Sequence, residues 1–295
     1  MTAIAHRPTA DPLFRLVAYA LETAHDRPPA AVWSAPHAFH LGSPALVAAA
    51  GWPVAAAAAP RDDGRVRLSS LGHPAQSCDL PLSGPYPTTP EWAARTYALL
   101  RTMARAGHGR GGTDLHVHGT LTEAAGLSVG EPMDCAVALA VADVHGGPGR
   151  PLPPRGRLAE LAREAAPDGD EALRRAVLFA RPGTALLTEG HRERAERRIP
   201  FDPGASGARL VLLATRGGAA DRDGDLLRAA ECARLAGALS VWPPGNRSGR
   251  GLLVLLPGDR LTAVRSAVAN DFRDAGRPVP RFLNIAVAGA ARREE

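Results

Sequence analysis

The residues best suited to chemistry in this 295-residue chain lie between Asp114 and Gly130. Asp114 to Thr120 reads as a short strand, and the small-residue stretch Ala125-Gly126-Leu127-Ser128-Val129-Gly130 runs into an apolar helical segment from Met133 to Val144. A small-residue loop at the start of a helix gathers backbone N–H groups at the positive end of the helix dipole, which suits it to hold a phosphate. The same residues spell Gly-x-Ser-x-Gly, the sharp turn that presents a nucleophilic serine in acyl hydrolases, with Ser128 as nucleophile. His108-Gly-Arg-Gly-Gly112 resembles an oxyanion-hole segment, but it precedes Ser128 by only a loop and a strand, whereas hydrolases of that fold place it far upstream. An acid and then a histidine must follow the serine, which leaves Asp134 or Asp143 with His145 or His191. His116 and His118 alternate along the strand, project from one face and could share a metal ion. No third ligand stands at a diagnostic spacing, so they read as two half-exposed strand histidines.

Composition narrows the classes of partner. The chain has no lysine: all 35 basic residues are arginine, set among 30 acidic ones for a net charge of +5. The densest run, His191 to Arg198, carries no aromatic residue to stack on bases and reads as a solvated connection, so no nucleic-acid partner is expected. Cys78, Cys135 and Cys232 stand apart without disulfide or metal spacing, as in a reducing compartment. There is neither an uncharged apolar run of about 18 residues nor the residue order of a secretory leader, so a cytoplasmic location without membrane attachment is expected. No fixed-period repeat is present.

The elements that must position the loop follow from periodicity. Leu13, Leu16, Val17, Ala20 and Leu21 have helical spacing, as do Trp92, Tyr97, Leu100 and Met103, after which Gly107 stands as a C-terminal cap. Val32–Leu41, Pro53–Ala59 and Arg65–Ser69 read as strands, the last two joined through the Asp63-Gly64 turn signal, giving an antiparallel sheet after one helix. Gly146 to Pro154 is the clearest break in the chain. Beyond it, 157–165, 171–180 and 259–274 read as helices, and 208–214, 251–256 and 281–287 as strands, a βαβ-type arrangement.

In this order the segments resemble the galactokinase family and the wider GHMP superfamily of small-molecule kinases. Ser34-Ala-Pro36 through Gly51-Trp-Pro-Val54 resembles the family's first motif, and Ala125-Gly-Leu-Ser128 stands where its ATP-phosphate loop belongs. Pro200-Phe-Asp-Pro203 with Arg209 to Arg216 resembles a central strand of the second domain. Ala236-Gly-Ala-Leu239 through Leu256 resembles the third, glycine-rich motif, and Pro280 to Arg292 the ending. The resemblance implies an α+β, two-lobed protein: an N-terminal mixed sheet with helices over 1–150 and a shortened, ferredoxin-like α/β sandwich lobe over 151–295. It implies nucleotide contacts at Ala125, Gly126, Leu127, Ser128, Val129, Gly130, Gly245 and Gly249, and ATP and Mg as cofactors; Arg247 and Arg250, inserted in the third motif where the family has none, could add charge beside an anion.

The departures bear on activity. The family's Arg that orients the attacking hydroxyl falls on Ala38, and its sugar-binding Glu-His-x-Asp group falls on Pro44, Ala45 and Val47, hydrocarbon that cannot pair with sugar hydroxyls. The catalytic aspartate falls on Leu173, unless a shifted gap brings in Asp168, Asp170 or Glu171. The loop's serine run is reduced to Ser128, and a long helical insert is missing after Thr215-Arg-Gly-Gly218. The expectation is therefore a pseudokinase that keeps at most nucleotide or small polar ligand binding. The alternatives are a divergent ATP-dependent sugar kinase and, behind it, a serine hydrolase at Ser128.

Overall fold

The computed structural model describes residues 4–7, 10–43, 45–121, 125–146, 151–188, 197–245 and 249–294. Two sheets organise them. At the centre of the first, β1 (Ala31–His40) and β2 (Leu46–Pro60) pair antiparallel, and β5 (Gly112–Gly119) lies antiparallel beyond β2. β3 (Arg65–Ser70) runs parallel to β5, β4 (Cys78–Pro81) closes that edge, and β12 (Arg292–Glu294) closes the other. The opening sheet is thus mixed, not purely antiparallel as the Asp63-Gly64 turn suggests. Gly111 and Gly112 explain the insertion of β5, because their backbones press against that turn. A Cβ on Gly111 would lie 2.4 Å from the Arg61 carbonyl oxygen, and one on Gly112 2.1 Å from that of Arg65.

Alanine makes β2 a strand that can be covered on both faces. Ala55, Ala57 and Ala59 pack under α1 (Pro12–His25) with Phe14, Val17 and Leu21. Ala56 and Ala58 face the opposite layer, formed by α2 (Glu91–Arg105), α3 (Gly130–Gly146), α4 (Arg155–Ala165) and α5 (Glu171–Phe179). Side chains without branches let helices approach the sheet from either side, and the mixed pattern of continuous burial is that of a core strand. α3 is buried from Cys135 through Ala142, as expected of a helix apolar on all faces.

The Gly146–Pro154 break is not where one sheet gives way to the other. Residues 147–150 lie outside the described residues, and α4 and α5 beyond them join the first lobe's core through Leu158, Leu161, Leu173 and Val177. β6 (Thr184–Leu187) pairs with β2, and β7 (Arg197–Pro200) with β6. Burying leucines of this kind stabilises by about 1.5–3 kcal/mol each, which decides the side on which these helices stay. The second sheet begins only with β8 (Ala208–Ala214).

That sheet has the order β11-β8-β10-β9, with β9 (Ser240–Trp242), β10 (Gly251–Pro257) and β11 (Arg281–Ile285) all antiparallel to their neighbours. With α6 (Arg222–Leu235) after β8 and α7 (Leu261–Asp274) after β10, this is the β-α-β-β-α-β ferredoxin-like sandwich. Strand alternation divides its residues. Val211, Leu213, Val254 and Leu256 meet Val264, Val268 and Phe272 under the helices. Leu210, Leu212, Leu253 and Ile285 face the first lobe, where they meet Phe39, Ala48, Ala50, Ala125 and Leu127. The residues singled out in the sequence therefore sit at the junction of the two sheets.

Candidate functional site

Two glycine segments meet there. Gly126 has φ +90°, and a Cβ on it would lie 2.7 Å from the Gly251 nitrogen. A Cβ on Gly249 would lie 2.4 Å from the Gly126 Cα, and one on Gly251 2.2 Å from the Ala125 carbonyl oxygen. Backbone touches backbone, which only glycine permits, and the Gly126 φ adds a second reason for its identity. Gly245 follows Pro244, whose ring lies beside Gly126 and whose carbonyl accepts from the His40 N–H at 2.8 Å. The structure thus brings Ala125, Gly126 and Gly249 together. Arg247 lies outside the described residues.

A hydrogen-bonded chain leaves this loop and returns to the strand it started beside. His37 Nδ1 lies 2.9 Å from the Ser128 carbonyl, which can only accept, so that nitrogen carries the hydrogen. The Ser128 hydroxyl donates to Glu131 Oε2, and the Asp170 N–H donates to Glu131 Oε1 at 3.0 Å. Asp170 Oδ2 then accepts from His40 Nε2 at 2.8 Å, while its Oδ1 caps α5 by accepting from the Leu173 N–H at 3.1 Å. Arg95, on α2, reaches Glu131 Oε1 at 3.3 Å and Asp134 Oδ2 at 2.6 Å. Its guanidinium lies against Gly130, where a Cβ would come within 2.5 Å of Nη1.

Burial sets the electrostatics. It would push the Glu131 carboxyl up, but the Ser128 hydroxyl, Arg95 and the Asp170 N–H together hold it below the usual range. Asp134 is carried the other way, because burial outweighs its bonds to Arg95. Asp170 resembles Glu131: burial raises it, and His40 with the α5 backbone more than compensates. Burial keeps the His37 imidazole neutral to lower pH than usual, against its bond to Ser128.

The remaining candidates are dispersed. Leu173 packs into the first lobe's core with Ala38 and Val47, so all three are hydrocarbon inside hydrocarbon. Asp168 is exposed, and Glu171 pairs with buried Arg174 at 2.7 Å. Pro44 and His191 lie outside the described residues. Among the described residues no hydrolytic triad forms around Ser128, whose hydroxyl serves Glu131. His145 is on Thr113 at 3.1 Å, and Asp143 accepts from Trp33 Nε1 at 2.9 Å. His116 and His118 do share the face of β5 under α1, but His116 Nδ1 bonds the Ser69 hydroxyl at 2.8 Å, and that hydroxyl also bonds His25 Nε2 at 3.0 Å. Among the described residues no cluster of His, Cys, Asp and Glu could hold a metal ion, and no helix is long and apolar enough to cross a membrane.

The residues that sequence reasoning missed are Glu131, Arg95, His37 and His40. One signal was present: Ser128-x-x-Glu131 has the spacing of a helix capping box. The contribution of Arg95, from a helix some thirty residues upstream, has no local signature.

The fold is that of galactokinase, homoserine kinase and mevalonate kinase structures. Superposed structures include the Lactococcus lactis galactokinase complexed with galactose, with TM-score 0.75, 12% identity, and coverage of 94% of this chain and 99% of that one. A Cytophaga hutchinsonii homoserine kinase gives TM-score 0.62 at 13% identity, covering 89% of this chain and 96% of that one. A mevalonate kinase gives 0.58 at 9% identity, covering 90% of this chain and 99% of that one. The chain shares the fold of these small-molecule kinases, and its sequence is similar to galactokinases. It is 31% identical over 201 residues to that of Streptomyces coelicolor, covering 63% of this chain and 49% of the relative. The Streptomyces lividans galactokinase matches at 31% over 201 residues, 64% of this chain and 48% of the relative. The chain thus spans about half the length of the curated relatives it matches. No family model matches the sequence.

Proposed function

We propose that this galactokinase-like protein does not phosphorylate a sugar and acts as a pseudokinase that binds a small polar ligand or a partner. The observation that carries the reading is how Asp170 is engaged. Of the carboxylates offered for the missing base, Asp170 is the one whose backbone N–H bonds Glu131, the residue that follows the glycine loop. Each of its carboxyl oxygens, however, already accepts a hydrogen bond, one from the α5 cap and one from His40, which holds the carboxylate in the orientation those bonds set. A general base needs a lone pair aimed at the proton it removes. Ala38 and Val47, at two of the positions where the resemblance calls for polar groups, are buried hydrocarbon with nothing to bond a sugar hydroxyl.

ATP and Mg, which the family implies, do not suit the loop as it stands. The carboxylates that follow it on α3, Glu131 and Asp134, both bond Arg95, and a divalent cation would have to displace that guanidinium. A phosphate would meet Glu131 at the helix terminus. The second reading, a divergent kinase, draws on the side chain of Asp170, which is 20% exposed and ionised. Incubating the protein with radiolabelled ATP, Mg and a panel of sugars separates the two: the pseudokinase gives no labelled sugar. Transfer that Asp170→Asn abolishes would establish the kinase instead.

A further inference from the structure

The first turn of α3 already holds an anion, and that anion belongs to the chain. Glu131 is 0% exposed and ionised. It is bound by the Ser128 hydroxyl, the Asp170 N–H at 3.0 Å and the Arg95 guanidinium at 3.3 Å. A hydroxyl, a backbone N–H and a guanidinium at the positive end of a 17-residue helix make up the donor set that proteins use for a phosphate group. We propose that Glu131 is a built-in stand-in for a phosphate, occupying those donors and closing the 125–130 loop to phosphate-bearing ligands. This deepens the pseudokinase reading and rests on it.

Three features make the closure self-consistent. The carboxylate belongs to the residue that directly follows the loop, so it occupies the donors without the entropy cost of binding a free anion. An entering phosphate would meet a second negative charge at the same donors, with Asp134 beside them on Arg95. Finally, Glu131 is flanked by Gly130, against which Arg95 lies flat, so the guanidinium is held in place for whichever anion is present. Removing the carboxylate leaves Ser128 Oγ and the Asp170 N–H without that acceptor, and Arg95 with Asp134 alone. Such donors call for another anion.

The test compares the wild type with Glu131→Ala, titrated with inorganic phosphate and tripolyphosphate by calorimetry and thermal shift, with circular dichroism to report folding. The wild type should show no shift at millimolar tripolyphosphate. The variant should bind it at least about tenfold more tightly, a difference of about 1.4 kcal/mol. If the variant is unfolded in buffer, tripolyphosphate should restore its native spectrum while leaving Phe272→Ala, destabilised in the other lobe, unrescued. Equal affinity in wild type and variant, or a variant that neither binds nor is rescued, overturns the proposal. Phosphoryl transfer by the wild type overturns the pseudokinase reading itself, whereas binding without transfer overturns only the role of Glu131.

Discussion

Arg95 is the residue on which the buried carboxylates at the start of α3 depend. It faces Glu131, 1% exposed at its side chain, and Asp134, 2% exposed. Removing one partner of a buried ion pair leaves an uncompensated charge that costs about 3–5 kcal/mol. Arg95→Ala should therefore lower the urea midpoint sharply, and Asp134→Asn in the same chain should recover part of the loss; an Arg95→Ala protein as stable as the wild type would contradict the geometry. The histidines under α1 make a separate prediction. Burial depresses His116 to about 4 and lowers His25 and His118 as well. Each has a folded pKa below its unfolded value near 6.5, so the unfolded chain binds the proton first. Stability is then undiminished above about pH 6.5 and falls as pH drops toward 4, by about 3 kcal/mol for His116 alone. Urea titrations at pH 7 and pH 5 should show that fall, and His116→Gln should reduce it.

Among the elements, the loop is held by contacts that tolerate no side chain. Gly126→Ala places a Cβ at φ +90° and 2.7 Å from the Gly251 nitrogen. It should cost about 1–3 kcal/mol and loosen the junction between the sheets. Hydrogen exchange should then rise at Ala125 to Val129 and at Gly249 to Gly251 together. Exchange confined to one segment would mean that they are not packed as a unit.

Elements with a strong period were legible: α1, α2, α7, β8 and β10 follow spacing that their buried faces impose. α2 also ends as its Gly107 indicates, with φ +96° and the His108 N–H on the Met103 carbonyl at 2.8 Å. α6 was not legible. Its buried face is made of Ala229, Ala230 and Ala233, while Leu227 and Leu235 point outward, 73% and 84% exposed, so its apolar pattern opposes its packing. β6 and β12 are short strands defined by partners well over a hundred residues away, β2 and β1, which leaves no local trace, and β7 follows only as the partner of β6. For the same reason the loop was readable as a loop, whereas the network behind it, drawn from β1, α2, α3 and α5, was not. Counting along the sequence put Leu173 at the base position; the cap geometry puts Asp170 at the start of α5, three residues earlier.

At the scale of the whole molecule, the two sheets meet through Phe39, Leu127, Leu210, Leu212 and Leu253, and the glycine loop forms part of that apolar seam. The fold of a small-molecule kinase is retained while the groups nearest its loop bond one another. Ser128 serves Glu131, Asp170 serves His40 and α5, and Arg95 serves two carboxylates. In the pseudokinase reading proposed above, the contacts that stabilise the molecule are the same ones that leave little for a nucleotide. The direct measurement is transfer of the labelled terminal phosphate of ATP to a sugar panel, with Mg present and the wild type beside Asp170→Asn. The account predicts no labelled sugar above the protein-free control from either. Labelled sugar from the wild type that disappears with Asp170→Asn would contradict it.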